Sequence, residues 1–370
     1  MSLPSAPASG LELERIGEAT IPDVAAVLTA ATLSESATPG ARAVERVATE
    51  RHLRWLLLDN PLAEASPYHG LCVRAAGGEI TGVLLSFPAT FVADEKRLLA
   101  FGSGGYAVQA GARTAGYYLF KRHLTMAGAD FFFSTTCNAT SGRLWAALGA
   151  LAVHRSETEY ILPLNLEVVL AAFVAGRAAS PAAAGVAAAL GRCADPVWRR
   201  LGRPCTLALE ACRDWDKLAA LARRHRPAGV ITIDRSPAHL QWRYGPDAPN
   251  GPFEIHVVRD RLGDEGWFAL GTVRRGREGR IRGAIVLDAV WPSARMRFAD
   301  LVPAIVRAAA PAVDAIYAHA RPALAGGPGG RPWLPWRLDG PRAFVITPRG
   351  RAARSLSSLD LVPADGDGAF

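Results

Sequence analysis

The segment AHLQWRYGPDAPN at 238–250 restates RHLRWLLLDNP at 51–61. His52, Leu53 and Trp55 meet His239, Leu240 and Trp242 at one common offset of 187 residues. Each copy then reaches a proline-aromatic pair, Pro67-Tyr68 and Pro252-Phe253. Each continues with two alternating apolar runs split by a polar turn, LCVRAAGGEITGVLL in the first and IHVVRDRLGDEGWFALGTVRR in the second. Repetition of element order, beyond the matching residues, predicts an ancient tandem duplication, because chance supplies three identities more readily than the same units behind them. With 370 residues, half of them hydrophobic, the chain is long enough for two cores. The histidines and tryptophans of the repeat read as packing residues at helix ends.

In the first copy, a strand pattern from Leu11 precedes IPDVAAVLTAAT, a helix with Pro22 in its first turn and Asp23 near its positive end. A second helix is predicted from Ala41 to the Asn60-Pro61 stop. Three strands follow, then a helix from the GARTAGYY turn, and a short apolar strand in GADFFFSTTCN. The SGRLWAALGAL stretch predicts a helix closing at Gly149, and AVHRSETEYILPL a final strand. The second copy continues with the strand RIRGAIVLDAVWP, the helix FADLVPAIVRAAAPA and the strands AVDAIYAHA and RAFVITP, and has no arginine-and-glycine turn.

That turn, within VQAGARTAGYYLFKRHL at 108–124, carries the chemistry. A strand that ends at a glycine-bearing turn and passes into a helix exposes backbone N–H groups at the helix's positive end, where phosphate binds. Gly116 permits close approach of the backbone, and Arg113 supplies a charge-assisted contact. The spacing is neither GxGxxG nor GxxxxGK[ST], and a solvated arginine beside a soft loop gives the same letters.

The element order, the turn RTAGYY at 113–118 and the downstream NATSGRLWAALG at 138–149 resemble the GNAT acyltransferase superfamily. The resemblance covers about residues 11–165 well and 210–345 loosely. With the repeat, it implies an α/β fold of two tandem GNAT-like domains, each a mixed, mostly antiparallel sheet flanked by helices, as also used by Fem-type transferases. The boundaries expected are 1–165 for an acyl-CoA-binding domain, 166–205 for an alanine-rich helical connector, and 206–370 for a degenerate second domain with a C-terminal tail. The resemblance implies that Val108, Arg113, Thr114, Ala115, Gly116, Tyr117, Tyr118, Asn138 and Ser141 hold the cofactor arm of acetyl-CoA or another acyl-CoA, a substrate. Asn138 equally reads as a helix cap. It implies direct attack of an amine, on a small molecule or sugar precursor, upon the thioester, with positioning and carbonyl polarisation supplying much of the rate.

This chain departs from the family at three points. Tyr118 stands where Gly or Ala is common, the strand GSGGYAVQ at 102–109 holds no carboxylate, and the acid's aromatic position is Trp145. An indole is no proton source, so the catalytic candidates become Glu79, Tyr106 and Tyr117, with His69 beside them. Tyr117 and Tyr118 also read as packing aromatics. Cys137, at the end of the apolar strand, reads as a small core residue before a nucleophile, because no histidine partner is identifiable.

A net charge of +8 favours polyanionic ligands in general. The basic residues are scattered and form no finger, RRM or helix-turn-helix pattern, so a specific nucleic-acid partner is not expected outside the Fem-type alternative, in which charged tRNA is the donor. A non-catalytic acyl-CoA-binding module is the other alternative. Five cysteines with no CxxC pair argue against disulfides and a zinc site and for a reducing, cytoplasmic setting. The start lacks a secretory pattern, and Arg177, Ser180 and Pro181 break the most apolar stretch before a span of about 20 residues is complete, so no transmembrane segment and no metal are expected. Asp360, Asp365 and Asp367 in the tail lack the rest of a calcium loop and read as a frayed terminus or a lid.

Overall fold

A computed structural model describes residues 11–361 except 34–37, 67, 178–179, 203, 277–278, 310–312, 320–327, 329–332, 338–339, 349–355 and 357–358. The first half runs β1 (Leu11–Arg15), α1 (Ile21–Thr32), α2 (Pro39–Leu57), β2 (Gly70–Ala75), β3 (Ile80–Ala93), β4 (Lys96–Val108), α3 (Arg113–His123), β5 (Phe131–Ser134), α4 (Ala139–Ala147), β6 (Leu151–Ala152) and β7 (Thr158–Pro163). A helical hairpin, α5 (Leu166–Arg177) and α6 (Pro181–Arg200), leads to the second half. There follow β8 (Ala208–Ala211), α7 (Trp215–Arg224), β9 (Ile231–Ile233), α8 (Pro237–Tyr244), β10 (Glu254–Arg259), β11 (Glu265–Arg275), β12 (Ile281–Val290), α9 (Phe298–Ala309), β13 (Ala315–His319), β14 (Leu334–Arg337), β15 (Phe344–Ile346) and β16 (Leu359–Asp360).

Local chemistry sets these boundaries. The Thr38, Ser180, Asp214 and Ser236 side chains each accept an N–H from the first turn of α2, α6, α7 and α8, and α2 therefore starts at Pro39, two residues before the apolar periodicity. Gly149, at φ +90°, stands just beyond α4 and turns the chain out of the helix. The strand expected over AVHRSETEYILPL is two pieces, β6 and β7, with Arg155 at φ +60° between them. Among the described residues, no helix is long and apolar enough to cross a membrane.

Two mixed sheets result. The first has the order β1-β2-β3-β4-β5-β15-β6, with β9 and then β16 added along the far end of β3, and the second has the order β14-β7-β13-β12-β11-β10-β8. In each, the central pair is parallel, β4 with β5 and β12 with β13, and the neighbouring pairs are antiparallel. Each sheet also takes strands from the other half of the chain, the first β9, β15 and β16 and the second β7. β7 pairs with β13 and β14 in the second sheet, while β15 pairs with β5 and β6 in the first. Asp360, expected in a frayed tail, is buried in β16, whereas Asp365 and Asp367 lie outside the described residues.

The repeated helix ends meet face to face. The Trp55 and Trp242 rings stack at 4.6 Å, and each indole N–H donates to the backbone carbonyl of the other tryptophan at 3.0 Å. His52 and His239 lie 5.4 and 5.6 Å from their own tryptophans. Residues that match in sequence thus make reciprocal contacts, the signature of a local twofold relation between the halves. Around this point one core fills the space between the sheets, with Leu53, Phe91, Trp267, Leu287 and Tyr317 among its members. The outer faces are covered separately, the first by α3 and α4 and the second by α9.

Candidate active site

β4 and β5 are paired only from Ala100–Gly102 to Phe131–Phe133, after which they part. β4 runs on to Val108, while β5 ends at Ser134 and turns through Cys137 into α4. An extra residue in β4 helps this divergence: Val83 faces Ala107 but Leu85 faces Gly104, and Gly105 sits in the bulge at φ +51°. Gln109 N–H donates to Thr81 at 2.9 Å. Because neighbouring strand residues turn their backbone groups to opposite edges, Val108 presents its N–H and C=O to the gap left by β5.

α3 begins at the end of this gap. Its N-cap is Ala112, which has no side-chain oxygen to offer, and its first turn holds no acid. The first amides of the helix are therefore uncapped by side chains and meet a positive dipole end, the arrangement that binds anions. Arg113 opens the helix, and its side chain lies outside the described residues. Thr114 is exposed and Ala115 is buried. Gly116 is required by a neighbour: a Cβ there would overlap the Tyr106 hydroxyl and come within 2.9 Å of Val108 Cγ2. Tyr106, on β4, thus lies across the first turn of α3, with its ring 4.9 Å from Phe120. Burial raises the pKa of its hydroxyl, so it stays protonated near neutrality.

The remaining sequence candidates scatter. Tyr117 is 41% exposed, with the Lys121 ammonium 5.7 Å from its ring centre, and Tyr118 is half-buried. Glu79 sits on the exposed β2–β3 turn, folded over Gly77. His69, before β2, is half-buried, with a pKa lowered by desolvation. Tyr106, Val108 and Gly116 are brought together; Glu79 and Tyr117 do not join them.

Across the gap, Asn138 caps α4. Its Oδ1 accepts from Thr140 N at 2.9 Å and Ser141 N at 3.0 Å, and Ser141 Oγ accepts the Asn138 N–H at 3.0 Å. Trp145 is buried edge-on to Phe120 at 5.6 Å. The Cys137 thiol is buried and donates to Ser134 Oγ at 3.3 Å. Among the described residues, no three His, Cys, Asp or Glu side chains group as a metal site would require.

The second half has the same bulge, with Ala269 facing Asp288 and Leu270 facing Val286, but a different turn. Trp291, Met296 and Phe298 fill it, the two aromatic rings 5.6 Å apart. Asp300, in the first turn of α9, accepts the Arg297 N–H at 2.9 Å. On β12, Asp288 forms a buried two-pronged ion pair with Arg235, at 2.6 and 2.9 Å. Sequence reading missed this pair, although an aspartate inside the apolar run AIVLDAVW is its signal.

No protein-family model matches the sequence, and no curated protein is detectably similar to it. Solved structures do match its shape. A conserved Enterococcus faecalis V583 protein described as a probable N-acyltransferase aligns over 92% of this chain and 72% of its own, with a TM-score of 0.54 and 10% identity. A GCN5-related N-acetyltransferase from Anabaena variabilis aligns over 90% and 72%, with a TM-score of 0.54 and 12% identity. The Saccharomyces cerevisiae N-myristoyltransferase, solved with bound myristoyl-CoA, aligns over 97% and 90%, with a TM-score of 0.54 and 11% identity. With its two mixed sheets, each opening beside a parallel central pair, the chain has the GNAT fold, present in tandem.

Proposed function

We propose that the chain is an acyltransferase that moves an acetyl or longer acyl group from a CoA thioester to an amine of a small molecule or sugar precursor. The observation that carries this reading is the uncapped, acid-free N-terminus of α3 at the mouth of the gap between β4 and β5. The pyrophosphate rests on the α3 amides, with Arg113 as an added cation, and the pantetheine arm follows the free edge of β4 past Val108. The amine nitrogen attacks the thioester carbon, a C–N bond forms and the C–S bond breaks. The sulfur leaves as CoA thiol once it has taken up a proton, and the amine gives up one. An amine that arrives uncharged needs only water as base, which suits a β4 without a carboxylate. Tyr106 keeps the turn in place and stays protonated.

Incubation of the purified chain with acetyl-CoA or longer acyl-CoAs and a panel of amines, read by free-thiol release, tests the activity. Mass spectrometry of ligand released by heat tests the donor. CoA or acyl-CoA in the released fraction and amine-dependent thiol release are expected. Failure of every thioester to bind overturns the reading, and binding without turnover on any amine replaces it with a non-catalytic acyl-CoA-binding protein.

A further inference from the structure

Outside the gap, the described surface carries one ordered line of large apolar side chains. On α6, Val186, Leu190, Val197 and Leu201, the last at its C-cap, are 62, 64, 62 and 53% exposed, and Cys193 lies exposed among them. From Val186 to Val197 the steps are four, three and four residues, the spacing of a coiled-coil seam. The opposite face of α6 is fixed to α5. A Cβ on Gly191 would lie 2.6 Å from the Leu166 carbonyl oxygen, Asp195 Oδ1 accepts the Leu166 N–H at 3.1 Å, and Trp198 Nε1 donates to the Pro163 carbonyl at 2.8 Å. Pro196 removes one rung of the helix, yet α6 continues through Arg200.

The seam is its own mirror image. Counted from the midpoint between Cys193 and Ala194, Leu190 and Val197 stand equally far out, and so do Val186 and Leu201. We infer that α6 is the interface of a homodimer, packed antiparallel against the α6 of a second copy about a twofold axis at that midpoint. Leu190 of one copy then meets Val197 of the other, and Val186 meets Leu201, as an isologous contact demands. The register sets Arg200 opposite Ala187 of the second copy, whereas a parallel pair sets it beside its own copy. Arg192 and Arg199 are already neutralised within the chain by Glu167 and Asp195. A helix of this length spans about 30 Å, and two such faces with their flanking alanines bury on the order of 1,000 Å², the low end of specific interfaces. The dimer is accordingly reversible and dependent on concentration.

Sedimentation velocity of the full chain, from roughly 1 to 200 µM, is expected to show monomer passing to dimer. Leu190→Glu, on an exposed face, is expected to weaken association at least about tenfold while leaving thermal unfolding in place. Copper-phenanthroline oxidation, which removes two electrons from two thiols, is expected to give a covalent dimer that Cys193→Ser abolishes. A monomer at every concentration, a dimer indifferent to Leu190→Glu, or a dimer whose cross-link survives Cys193→Ser overturns the inference. So does a monomer that binds vesicles of anionic lipid through Leu190, which makes α6 a membrane-facing helix.

Discussion

The turn after β4 and the turn after β12 occupy the same place in their sheets, behind the same bulge, and differ in what fills them. In the first half the space beside the parting strands is lined by backbone, glycine and an uncapped helix end. In the second, Trp291, Met296 and Phe298 occupy the turn, Asp300 satisfies an amide before α9, and a buried ion pair spans β12 and the segment before α8. Backbone amides without side-chain partners are a poor way to stabilise a fold and a good way to hold an anion; filled apolar space is the reverse. On this contrast we assign the proposed ligand site to the first half and a supporting role to the second.

The sharpest way to break the contrast is to unpair the second half. Asp288→Ala leaves the buried Arg235 guanidinium without its carboxylate and is expected to destabilise the chain by about 3–5 kcal/mol in urea unfolding. Thioester affinity, measured where the variant is folded, is expected to stay as it was. Undiminished stability, or a selective loss of binding, removes the assignment of the second half to support.

Acid probes both halves at once. Burial lowers the pKa of His123, the last residue of α3, and of His239, beside Trp242, to about 3. Both imidazoles are neutral in the folded chain, while the unfolded chain takes up their protons below about 6.5. Stability present above that pH is therefore lost as the pH falls from about 6.5 toward 3, by up to roughly 1.4 kcal/mol per unit for each group. Unfolding midpoints measured at pH 7.5, 6 and 5 should decline in that order, and His123→Phe should flatten the decline. A variant with the wild-type slope shows that His123 does not contribute.

The smallest effect concerns the far wall of the gap. Asn138→Ala removes the acceptor for two α4 amides and is expected to destabilise by about 1 kcal/mol, with Asn138→Asp close to wild type. A loss of acyl-CoA affinity beyond the loss of stability assigns Asn138 a part in holding the cofactor arm as well.

What the sequence made legible follows from how local each feature is. The His-Leu-x-Trp repeat was readable because identical residues recur, and its stacked, reciprocal tryptophans give the repetition a physical reason. The start of α1, with Pro22 and Asp23 in its first turn, was equally local, whereas the Thr38 cap of α2 went unread. The exchange of β7 and β15 was not readable, because the alternation in TEYILP or FVI marks a strand without naming its partner. Gly116 was read for its backbone freedom, whereas its immediate cause is the Tyr106 ring ten residues earlier, a contact created by the strand-to-helix reversal. Glu79 and Tyr117 were chosen as replacements for the missing base near the expected cleft; the fold places one on the exposed β2–β3 turn and leaves the other 41% exposed.

The central claim is that one thioester site exists per chain, at the turn after β4. Calorimetric titration with acetyl-CoA and longer acyl-CoAs tests it, on wild type, on Gly116→Val, which drives a branched side chain into Tyr106, and on Arg295→Ala at the second turn. The account predicts one site per chain for at least one thioester, affinity reduced at least about tenfold by Gly116→Val in chain that is still folded, and no change with Arg295→Ala. Two sites per chain, or a single site that ignores Gly116→Val and is lost with Arg295→Ala, would contradict it.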